Sequence, residues 1–152
     1  RESLGYDISG KLWSAKYLLD KPEVIQKIHE TYVAAGADLI TTSSYQATLP
    51  GLIDAGLTEK EAEQIIALTV QLAKAARDKV WGALDETEKA KRPYPLISGD
   101  VGPYAAYLAN GSEYSGDYGQ ITIEELKEFH RPRIQILLNQ DGISNELSLK
   151  YY

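Results

Sequence analysis

The sequence predicts an α/β fold in which short parallel strands alternate with amphipathic helices. Three observations predict it. Two short apolar runs, Asp38-Leu39-Ile40-Thr41 and Leu96-Ile97-Ser98-Gly99-Asp100-Val101, each turn polar at their far end. Each follows a helical stripe and a chain-breaking signal, the αβ half of a parallel-sheet unit. The segment between them carries apolar residues at helical spacing and is long enough for a crossover.

Residues 1–21 give Leu12, Ala15, Leu18 and Leu19 at helical spacing, so a short helix is expected after an irregular entry. Trp13 reads as a packing anchor, with a site-lining ring as the other reading. Asp20 is placed to cap the next helix, with Pro22 in its first turn and Glu23 three residues after the cap. Ile25, Ile28, Tyr32 and Ala35 form its expected apolar face, and Gly36 its left-handed stop. The strand that follows leaves through Thr42-Ser43-Ser44-Tyr45-Gln46, a hydroxyl-rich exit ending on an aromatic and an amide. A core strand would continue with Val, Ile or Leu, so the polar exit reads either as a site or as a plain strand-to-loop change.

Leu49-Pro50-Gly51 is a turn signal. Thr58 and Glu61 then make a capping box. The stripe Ala62, Ile65, Ile66, Thr69, Ala73, Ala76 and Val80 predicts a long helix ending near Gly82. Asp85 to Arg92 mixes both charges and reads as a solvated helix end or loop. Pro93-Tyr94-Pro95 breaks the chain before the second strand, which meets Gly102-Pro103. Residues 104–120 carry Tyr104, Tyr107, Tyr114 and Tyr118 among glycines. This stretch reads as a binding loop or as a loop packed by its own tyrosines.

Thr122 and Glu125 form a second capping box. Leu126, His130, Ile134 and Leu137, with Ile123, Phe129 and Leu138, give the expected apolar face, and Pro132 predicts a kink or a restart near Arg131. Residues 144–152 show no strand-like alternation. Two strands cannot close a sheet, so the chain has α/β layers without enough strands to complete an α/β fold.

Composition narrows the function. The 16 basic and 22 acidic residues give a net charge of −6, which disfavours nucleic acid and leaves small molecules or proteins as partners. No run approaches the ~18–20 apolar residues of a membrane span, and no basic-then-apolar leader opens the chain, so cytoplasm is the expected compartment. No cysteine is present, so neither a disulfide nor a thiolate metal site is expected. Methionine is absent too, and the chain reads as a truncated, processed or partial polypeptide.

Several motifs are longer than chance spacing supplies. Leu12-Trp13-Ser14-Ala15-Lys16, Ala35-Gly36-Ala37-Asp38, Thr42-Ser43-Ser44-Tyr45-Gln46-Ala47-Thr48, Gly102-Pro103-Tyr104, Gly111-Ser112-Glu113-Tyr114 and Phe129-His130-Arg131-Pro132-Arg133 resemble the homocysteine S-methyltransferases. The likeness is to the bacterial and plant enzymes that use S-methylmethionine, and it runs over about residues 5–142. It implies a partial (β/α)8 TIM barrel, with Leu39–Ser43 as strand two and Leu96–Asp100 as strand three. Residues 1–142 would be the N-terminal part of that barrel and residues 143–152 a tail without family resemblance. In such a barrel, typically ~250 residues, the site lies at the C-terminal ends of the strands.

The resemblance implies methyl transfer from a sulfonium donor to homocysteine, giving methionine. It also implies zinc held by cysteine thiolates, with the substrate thiol as a further ligand. This chain has none of those cysteines, so no bound zinc and no unaided activity are expected. His29 and His130, each on or beside an apolar helical face, read as structural histidines. The candidate substrate-side contacts are Tyr45, Ser43, Ser44, Gln46, Thr42, Asp100 and Tyr104. Tyr45 leads them, because a tyrosine face attracts a sulfonium. The other function class is a non-catalytic α/β module that self-associates through open sheet edges.

Overall fold

Residues 13–108, 115, 119–140 and 147–149 are described by the structure, a computed structural model. The capping boxes set the frame. Thr58 accepts from the Glu61 amide and Glu61 returns the bond, starting the longest helix, α4 (Glu59–Gly82). Thr122 and Glu125 do the same for α7 (Ile123–Leu138). Each box satisfies two amides that the first turn otherwise leaves open. Thr58→Ala is expected to cost about 1 kcal/mol, read as a lowered thermal midpoint with an unchanged circular dichroism spectrum; an unaltered midpoint would show that the cap is dispensable.

The remaining elements are α1 (Trp13–Asp20), α2 (Pro22–Ala34), β1 (Leu39–Thr41), α3 (Leu49–Asp54), α5 (Glu86–Lys89), β2 (Leu96–Val101), α6 (Tyr104–Leu108) and β3 (Leu147–Leu149). The sheet is parallel with strand order β1-β2-β3. Ile40 pairs with Ile97 and Asp100 with Ser148. Helices α3, α4 and α5 separate β1 from β2, and α6 and α7 lie between β2 and β3. Parallel pairing places the exits of β1 and β2 at one end of the sheet.

Helix α4 organises two apolar clusters. Its first half (Ala62, Ile66, Val70) packs with Leu18, Ile25, Leu52, Val101 and Leu137. Its second half, through Ala73 and Val80, meets Val33, Ile40 and Ile97. At the far end, Tyr94 donates to Asp78, packs edge-on to Trp81 at 5.3 Å and lies 4.5 Å below the Arg77 guanidinium.

Several expectations need correction. Asp20 ends α1 and does not cap α2, whose cap position is Lys21 without a side-chain bond. The buried face of α2 is Val24, Ile25, His29 and Val33, while Tyr32 points outward at 62% exposure. Gly36 does provide the left-handed stop, at φ 106°. Leu39 is half exposed, so β1 buries only Ile40. Leu49-Pro50-Gly51 is the first turn of α3, because the Thr48 hydroxyl caps the Gly51 amide at 3.0 Å. The charged stretch ends on an Arg92 that is not simply solvated. Its guanidinium donates to the carbonyls of Val33 and Ala37, both at 2.8 Å, and closes the end of α2.

Helix α7 is continuous through Pro132 and does not restart. Ile123 and Leu138 are exposed, and its buried positions are Arg133 and Leu137. The tyrosine-rich stretch opens as helix α6; Tyr114 and Tyr118 lie outside the described residues, as does the side chain of Trp13. Within 144–152, where no strand is expected, Leu147–Leu149 forms β3 beside β2.

Candidate functional site

The polar exit of β1 folds back onto the end of β2. Thr42 continues the ladder, its amide donating to the Ser98 carbonyl at 3.0 Å. Its hydroxyl accepts from the Asp100 amide at 2.9 Å and lies 2.7 Å from the Ser44 hydroxyl. Ser44 in turn donates to the Asp100 carbonyl at 2.6 Å. Thr42, Ser44 and Asp100 are all buried, so three of the seven candidate residues form one internal network. The Thr42 and Ser44 hydroxyls, bonded to the Asp100 backbone, hold the two strand ends together.

Tyr45, Ser43 and Gln46 are half-buried in the same loop. The Gln46 Oε1 is buried and has no hydrogen-bond partner among the described residues. The backbone of Tyr45 lies hard against Gly102. A Cβ built on Gly102 would stand 2.2 Å from the Tyr45 carbonyl oxygen and 3.1 Å from its Cγ. Only glycine lets the two loops approach this closely.

Tyr104 begins α6 and joins an aromatic cluster on its other side. Its ring packs edge-on to Phe129 at 5.1 Å and lies 5.9 Å from Tyr107. Tyr107 donates to Asp54 of α3 at 3.2 Å, and burial together with that bond holds its phenol above the ordinary value. It is therefore a neutral donor at physiological pH.

Sequence reasoning assigned no role to the residue that ties these parts together. Arg133 of α7 is 1% exposed. Its Nη1 donates to the carbonyls of Ser44 at 3.1 Å and Tyr45 at 2.9 Å, and its Nη2 to that of Gly102 at 2.7 Å. Burial lowers its pKa to about 10, while Asp100 and Tyr45 act in the opposite direction, so it stays cationic at neutral pH. The available signal was its position: Arg133 falls three residues after His130 and four before Leu137, on the stripe that faces the core.

His130 packs edge-on to Phe129 at 5.1 Å, with Nδ1 3.5 Å from the Arg133 Nη2. Burial first, then the Arg133 charge, lowers its pKa below 6.5. A histidine whose folded pKa is depressed contributes stability above its unfolded pKa and loses it as pH falls through the folded value. His130→Gln is expected to flatten the fall of the thermal midpoint as pH drops from about 7 to about 5. An unchanged slope would remove His130 from the acid response.

No group of three or more His, Cys, Asp or Glu among the described residues is arranged to hold a metal ion. His29 is buried on α2 and His130 lies on α7. An open groove of about 410 Å³, walled by Leu19, Leu57, Ile65 and Leu68, includes none of the candidate residues. No described helix is long and apolar enough to cross a membrane.

Comparison with known proteins shows the family of the chain. The chain is 47% identical over 137 residues to homocysteine S-methyltransferase 1 of Zea mays, covering 90% of this chain and 42% of that protein. Identity and coverage are the same for the homocysteine S-methyltransferase YbgG of Bacillus subtilis. The chain thus spans about two fifths of the length of these relatives. The metallated form of the homocysteine methyltransferase MmuM from Escherichia coli superposes with a TM-score of 0.85 at 40% identity, over 98% of this chain and 49% of that one. Its oxidized form gives 0.82 at 41% identity, over 93% of this chain and 46% of that one. A family model described as homocysteine S-methyltransferase matches residues 1–145. The chain therefore belongs to the homocysteine S-methyltransferase family.

Proposed function

We propose that this chain supplies the substrate-side wall of a homocysteine S-methyltransferase, as strands two and three of a (β/α)8 barrel. The observation that carries the reading is the joined exit of β1 and β2, which gathers Tyr45, Gln46, Asp100 and Gly102 at one end of the sheet. In a parallel α/β sheet that end is where ligands bind. In the reaction, the homocysteine thiolate attacks a methyl group of a sulfonium such as S-methylmethionine, and the new S–CH3 bond makes methionine. The donor's S–CH3 bond breaks, its electron pair stays on the donor sulfur, and the donor leaves as a neutral thioether. Tyr45 offers a ring face to the sulfonium. Ser43 and Gln46 offer polar groups to the amino-acid portion, and Tyr104 extends the aromatic side. Thr42, Ser44 and Asp100 act by fixing the loop that presents these groups. Residues 143–152 lie beyond the motifs that carry the likeness, although the family model reaches residue 145.

The residues present do not fit the zinc that the family resemblance implies. The sequence contains no cysteine, and the described residues hold no cluster of three or more alternative ligands. The chain alone is expected to bind less than stoichiometric zinc and to methylate no homocysteine from S-methylmethionine. Metal analysis and a methionine-forming assay check this, and turnover at enzyme-like rates without added protein would overturn the division of roles.

A second reading, self-association, is favoured by Leu39 and Leu96, which leave apolar surface at the starts of β1 and β2, 49% and 48% exposed. Sedimentation decides it: a dimer supports the reading, and a monodisperse monomer removes it.

A further inference from the structure

We infer that Arg133 is a positioning residue for the strand-end site, its guanidinium fixing the loop after β1 to the loop after β2 through the carbonyls of Ser44, Tyr45 and Gly102. The inference rests on the proposed substrate role of that site. Three features support it.

The first is the target of the bonds. Arg133 reaches across from α7 to three main-chain oxygens on two different loops, at 2.7 to 3.1 Å. These three residues flank or include the candidate contacts, so moving the guanidinium moves the backbone that carries Tyr45 and Gln46.

The second is the geometry that no other residue type reproduces. A planar fork with several fixed donors bridges separate acceptors, whereas a lysine ammonium is a compact point charge on a flexible stem. The fork is itself held, with its Cζ 5.9 Å from the Phe129 ring centroid. Phe129 also contacts Tyr104 and Tyr107 of α6, so the helix that carries the clamp also carries one ring of the aromatic cluster.

The third is what the arrangement gives up. A buried charge is costly to desolvate, and replacing a whole buried charged arrangement, partners included, by well-packed apolar residues is often neutral or stabilising. The Nε of Arg133 is buried with no hydrogen-bond partner among the described residues. An arginine kept there with one donor unsatisfied fits a task of holding loops in register.

The test compares the chain with Arg133→Lys by amide hydrogen exchange. Amides of residues 43–47 and 102–106 are expected to exchange at least about tenfold faster, while those of α4 change less than about twofold. Acceleration everywhere, or nowhere, would overturn the inference, since the first is general loosening and the second shows no clamp. A measurement on the unsubstituted chain covers the case of a variant that fails to fold. The two Arg133 Nη groups should give separate, slowly interconverting NMR signals, and a single averaged signal contradicts the clamp.

A ligand arm separates positioning from simple structural support. S-methylmethionine and homocysteine, each titrated alone, are expected to bind the lysine variant about tenfold more weakly than the parent. Equal affinity with faster loop exchange would overturn the link to the site. If the parent binds neither compound, the proposed function fails, and the exchange and NMR results still decide whether Arg133 holds the loops.

Discussion

Arg133→Met is expected to cost about 3–5 kcal/mol of folding stability, the range for breaking a buried, hydrogen-bonded charge arrangement. The side chain is 1% exposed and serves three carbonyls, none of which a thioether can satisfy. The methionine fills much of the volume, so the loss comes from stranded acceptors more than from a cavity. The buried carboxylate of Asp100 adds to it, because the substitution removes a neighbouring positive charge. Urea titration reads the effect as a lower midpoint with a similar slope. A loss under about 1 kcal/mol would show that the carbonyls find other donors and that the guanidinium does not hold the loops.

Gly102→Ala is expected to cost about 3 kcal/mol, the upper end for overpacking a tight contact. The added Cβ would lie 2.2 Å from a backbone oxygen, that of Tyr45, and backbone cannot rotate away as a long side chain can. The two loops must separate, and the Gly102 carbonyl that binds Arg133 moves with them. The substitution and Arg133→Met therefore strike the same junction from opposite sides. Their combined effect is expected to be less than the sum of the two, because either change alone opens the contact. Strict additivity in urea titrations of the double variant would argue that the clamp and the close approach are independent.

How far this junction was legible in the sequence depends on the range of each interaction. The starts of α4 and α7 were legible because a capping box is complete within four residues. The stripe of α4 was legible because a long regular period leaves little choice of face. Helix α2 offered two overlapping stripes, and Tyr32 drew the reading one position away from the face that buries His29 and Val33. Pro50-Gly51 has the composition of a turn, and only the Thr48 hydroxyl turns it into a helix start.

The site shows the same division. The polar exit of β1 was visible, and so was the match between Thr42–Thr48 and a known family. That Thr42 and Ser44 face inward was not, because their partner Asp100 lies 58 and 56 residues away. Arg133 lies in the motif Phe129–Arg133, but a charge on an apolar stripe has no local meaning until its acceptors are placed. Strand β3 is three residues long and too short to show a period.

The central claim is that the joined ends of β1 and β2 form a substrate wall. Amide chemical shifts of the chain, followed while S-methylmethionine and then homocysteine are added to millimolar concentration, test it most directly. The account predicts shifts concentrated at residues 43–46 and 100–104. Shifts confined to the groove beside Leu57 and Leu68, or no shifts at all, would contradict it.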